Sequence, residues 1–61
     1  MKRVTKFQSD LALEVLAMAR ANNDAVVADA CNRVRHGWLL GHRVDGADLN
    51  VVLAFYEGTR G

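Results

Sequence analysis

The chain has no proline, all five of its glycines lie at or beyond position 37, and Asn22-Asn23 is the only turn signal before them. That distribution constrains the fold more than any other property of the sequence. Glycine and proline are the strongest interrupters of regular backbone, so the first half of the chain can change direction only at the two asparagines. Uninterrupted stretches with apolar residues at three- and four-residue steps are helical in pattern. The sequence therefore predicts an all-α, small three-helix domain over 1–61, with helices at approximately 5–21, 23–37 and 46–57. An alternative merges the first two into one long helix. The row Leu16, Ala19, Asn23, Val26, Ala30, Val34 runs through the asparagines with a single polar member.

Each helix start carries a capping signal. Thr5 and Gln8 have capping-box spacing. Asn22 suits the N-cap of the second helix, with Asp24 in its first turn near the positive end of the dipole. Asp45 suits the N-cap of the third, with Asp48 three residues on and Val44 and Leu49 at the hydrophobic-staple positions. Phe7, Leu11, Val15 and Met18 line one stripe of the first helix, and only Asp10 and Glu14 give that helix a polar face. The second helix aligns Val27, Cys31 and Val34, extending to Trp38, and pairs Asp29 with Arg33 at i,i+4. It ends either at Gly37, as a left-handed C′ residue, or at Leu40 before Gly41. Residues 37–44 read as a loop, and Gly58 as the stop of the third helix. Residues 1–4, a short basic arm, are expected to be solvated and frayed.

A chain of 61 residues that is 51% hydrophobic cannot bury all its apolar surface internally, since a domain of ~60 residues hides only ~60% of what its unfolded chain exposes. Small domains usually add disulfides, a metal or association. One cysteine excludes an internal disulfide and a structural zinc site of the usual four-ligand type. Association is what is left: a homodimer through Phe7, Leu11, Val15 and Met18, or a partner. The composition also excludes intrinsic disorder.

The formal net charge is only +1, yet residues 30–44 contain no acid. That window holds Arg33, Arg35, His36, His42 and Arg43 around Trp38, the partner-binding residues the sequence suggests. Arginine forks onto carboxylates, and tryptophan and arginine are enriched among interface hot spots. Basic residues around an aromatic also suit nucleic acid. The plainer alternatives are that the cations satisfy carbonyls at a helix C-terminus and that Trp38 closes the core. Acids at the starts of the second and third helices oppose insertion of either into a DNA groove.

Catalytic and cofactor chemistry find no support. Cys31, His36 and His42 lack chelating spacing, no glycine motif cradles phosphate, and Cys31 reads as a small buried hydrophobe. Glu14 interrupts what would otherwise resemble a signal-peptide core. No apolar run approaches the ~18 residues of a membrane span. The expectation is a cytoplasmic, non-enzymatic protein-interaction module without cofactor or metal. By analogy of size and of its alanine-, valine- and arginine-rich composition, it would be a regulator or inhibitor of bacterial or phage type. The alternative is a small nucleic-acid-binding regulator using 33–43 and the N-terminal arm.

Overall fold

A computed structural model describes residues 1–60, with no account of the Arg60 side chain. Three helices make up the fold: α1 (Lys6–Ala21), α2 (Ala25–Leu40) and α3 (Gly46–Arg60). A 16-residue helix is ~24 Å long and the molecule measures 29 × 19 × 17 Å, so the helices run along its long axis.

The capping box of α1 is formed. The Gln8 N–H donates to Thr5 Oγ1 at 3.1 Å and the Thr5 N–H to Gln8 Oε1 at 3.0 Å. The asparagines do break the chain, but by ending α1 rather than starting α2. Asn23 takes a left-handed conformation with φ 57°, the N–H of Asp24 bonds back to the Ala19 carbonyl, and that of Asn23 to the Arg20 carbonyl. This is the Schellman closure, with asparagine where glycine is commoner. Asp24, not Asn22, then caps α2 through Oδ1 and the Val27 N–H at 3.2 Å.

α2 runs through Gly37 and stops at Gly41, whose φ of 71° and N–H to the Gly37 carbonyl close the last turn. Trp38, Leu39 and Leu40 are therefore helical rather than part of a loop. At the start of α3, Asp45 Oδ1 accepts from the Ala47 N–H at 3.0 Å. Val44 and Leu49 are both buried, as the staple positions require. Gly58 does not end α3, which continues to Arg60.

The core joins Leu11, Ala12, Val15 and Leu16 of α1 to Cys31 and Val34 of α2 and Leu49 and Val52 of α3, closed by Val4 and Val44. Both helices bury small residues among the larger ones: Ser9, Ala12 and Ala19 of α1, and Ala30, Cys31 and Gly37 of α2. Small side chains let the two helices approach closely. Gly37 is packed against the α2–α3 connection and the N-terminal arm. A Cβ there would collide with the Val44 side chain and lie 3.1 Å from the His42 carbonyl oxygen and 3.2 Å from Val4 Cγ2.

The N-terminal arm is not frayed. Lys2 and Val44 form an antiparallel bridge, each N–H donating to the other's carbonyl at 2.8 Å. Val4, 4% exposed, is thereby pressed onto Gly37. The arm thus covers the junction between the end of α2 and the start of α3.

Candidate binding surface

α1 and α2 are antiparallel, so the start of one lies beside the end of the other. Arg35 marks the register by donating from Nη1 to Ser9 Oγ at 3.2 Å. This arrangement, with the Lys2–Val44 bridge, unites two stretches that are far apart in sequence. Residues 1–9 contain no acid, and neither do residues 30–44. Together they carry six of the eight Lys and Arg residues: Lys2, Arg3, Lys6, Arg33, Arg35 and Arg43.

Three of these cations have partners within the chain. Arg33 forks onto Asp48 of α3, Nε to Oδ2 and Nη2 to Oδ1, both at 2.9 Å. The expected Asp29–Arg33 bond is replaced by this one because two parallel N–H···O bonds outcompete a helix-surface pair. The Asp48 hydrogen bonds, then its charge, raise the Arg33 pKa above the ordinary arginine value. Arg35 is held by the buried Ser9 hydroxyl, and Lys6 pairs with Asp10 at 3.1 Å. Among the described residues, the side chains of Lys2, Arg3, His36, His42 and Arg43 have no hydrogen bond or ion pair within the chain.

Two clefts open on this end, sharing His42 as a wall. The larger, of about 560 Å³, is lined by Met1, His36, His42 and Arg43 together with the Arg33–Asp48 pair and Asp45. The smaller, of about 260 Å³, is bounded by Arg3, Val4, Gly37, Trp38, Gly41 and His42, without a carboxylate. Trp38 is 41% exposed, and Leu39 and Leu40 are 64% and 69% exposed. Trp38 therefore does not close the core; Gly37 continues the buried face of α2 in its place, and Val4 covers it.

The stripe expected to mediate self-association is divided by the fold. Leu11 and Val15 are buried inside the chain's own core, and Met18 is packed against it. Leu11 and Val15 are thereby used within the chain, while Met18 stays half-buried. Phe7 alone points outward, 73% exposed, on the first turn of α1 and so at the same end as Trp38. The sequence joins the arm to residues 33–43 only in the nucleic-acid alternative; its docking beside the end of α2 rests on the Lys2–Val44 bridge.

Cys31 is fully buried, and burial pushes its thiol above the ordinary thiol range. It is a packing residue rather than a nucleophile. Among the described residues no three His, Cys, Asp or Glu side chains are grouped to hold a metal ion, and no helix is long and apolar enough to cross a membrane. Comparison with protein-family models, with curated proteins and with solved structures finds no match.

Proposed function

We propose that this chain is a small non-enzymatic protein-interaction module, a regulator or inhibitor whose cationic and apolar end docks on an acidic surface of a larger partner. The observation that carries this reading is the convergence of two acid-free segments on one end, beside an exposed Trp38-Leu39-Leu40 turn. Exposed aromatic and leucine side chains on the same end as Arg3 and Arg43 have the composition of an interface centre and its rim. Arg33 and Arg35 leave the expected contact set, because Asp48 and Ser9 hold them; Lys2 and Arg3 enter it. The cytoplasm suits a module whose one thiol is free and buried.

A nucleic-acid reading uses the same end but has fewer cations to work with once Asp48 offsets Arg33 and Asp10 offsets Lys6. A second copy docking through the exposed Phe7 would be a rival use of this end. The test is affinity capture from the source cell with three baits: the native chain, Trp38→Ala, and Leu13→Ser as an exposed-apolar control elsewhere on α1. Partner proteins held by the native chain and the control, lost with Trp38→Ala, support the reading. Capture that is insensitive to Trp38, or that disappears with nuclease treatment, overturns it.

A further inference from the structure

We infer that the Trp38 cleft is the receptor for one apolar side chain of an acidic segment, whose flanking carboxylates are taken by Arg3 and Arg43. This rests on the protein-partner reading and specifies what the partner presents. At about 260 Å³ the cleft is below the ~300–1,000 Å³ usual for small-molecule sites, and it suits a single inserted side chain. Its apolar lining is Val4, Trp38 and two glycines, of which Gly37 lies beneath Val4 and Gly41 faces open space. The backbone that carries these side chains is fixed in advance: the Gly41 cap closes the turn that carries Trp38, and the Lys2–Val44 bridge holds the segment that carries Val4. A preformed wall reduces the ordering cost of binding.

Charge complementarity selects the occupant. Arg3 borders the small cleft and Arg43 the large one, with His42 between them. Among the described residues neither arginine has a partner, whereas Asp48 is held by Arg33 and Asp45 by the start of α3. An apolar anchor in the small cleft therefore brings carboxylates on either side of it to unpaired guanidinium groups, which bind carboxylates in a fork.

The chain has a single tryptophan, so its emission reports on this cleft directly. The probes are synthetic peptides with one leucine or phenylalanine between glutamates, the same peptides with alanine at the anchor, and the same anchors between glutamines. A single-stranded oligonucleotide and phosphatidylserine vesicles complete the set. Anchored acidic peptides are expected to shift Trp38 emission to the blue. Affinity should fall about tenfold or more without the anchor and severalfold with glutamines or with Arg3→Gln plus Arg43→Gln. Titrations by anisotropy with Trp38→Ala check the wall itself, and circular dichroism checks that each variant is folded. Equal affinity with and without the anchor, or no response to any anchored peptide, overturns the inference. If acidic peptides bind through Arg3 and Arg43 irrespective of anchor, the acidic-partner reading stands and the anchored cleft falls. If only the oligonucleotide or the vesicles respond, both fall.

Discussion

At the scale of single residues, two glycines in helices should respond oppositely to the same substitution. Gly58→Ala adds a Cβ into open space and should raise stability by ~0.5–1 kcal/mol, since glycine costs that much in a helix interior. Gly37→Ala gains the same propensity but drives its Cβ into Val44, the His42 carbonyl and Val4. Overpacking of that kind costs ~1–3 kcal/mol, so the net effect should be destabilising. Urea midpoints of the two variants at constant m-value give the signs. Cys31 supplies a third test. Burial raises its thiol, so the unfolded chain loses that proton at lower pH than the folded one. Stability is untouched by Cys31 below the ordinary thiol range and falls as pH rises through it. The alkaline drop in urea midpoint should shrink in Cys31→Ala, and thiol labelling at neutral pH should require unfolding.

At the scale of elements, the inter-helix turns divide into one readable from local chemistry and one that is not. Asn22-Asn23 signals a break because asparagine tolerates the left-handed conformation. Which asparagine adopts it, and that Asp24 supplies the next cap, depends on how α1 terminates. Asn23→Gly should stabilise, by relieving a side chain at φ 57°. Asp24→Ala should destabilise by ~1 kcal/mol through the lost cap. Thermal unfolding followed by circular dichroism measures both. The end of α2 could not be chosen from sequence, because Gly37 and Gly41 are equally good stops locally. Contact with Val4 and Val44 favours keeping Gly37 helical, since only a residue without a side chain fits there, and that leaves Gly41 to end the helix. The outward turn of Phe7 has a similar origin. Helical spacing assigns it to the apolar stripe, but Val4 occupies the end of the core.

At the scale of the whole molecule, the arm makes the structure more than a helical hairpin with a third helix. Its bridge to Val44 places backbone hydrogen bonds where a frayed tail would have none. Hydrogen exchange should therefore protect the Lys2 and Val44 amides well above those of an unstructured terminus. Removal of residues 1–4 should expose Gly37 and Val44, lower the urea midpoint and abolish the Trp38 cleft together. If the Val44 amide exchanges at the rate of an unstructured peptide in the native chain, the arm is not docked. The same contacts create the charge asymmetry. The net charge of +1 conceals a cationic end assembled from two distant segments.

The three helices, the caps at Thr5 and Asp45, the break at the asparagines and the apolar positions at the centre of each helix follow from local sequence alone. These depend on interactions between residues a few positions apart, which spacing alone records. Only the tertiary structure decided that the arm docks, that Gly37 stays helical, that Arg33 leaves Asp29 for Asp48, and that Trp38 faces outward while Leu11 and Val15 turn in. Each of these is a competition between a local partner and a distant one. Its outcome depends on the close approach of α1, α2 and residues 1–4, a distance that no periodicity in the sequence encodes.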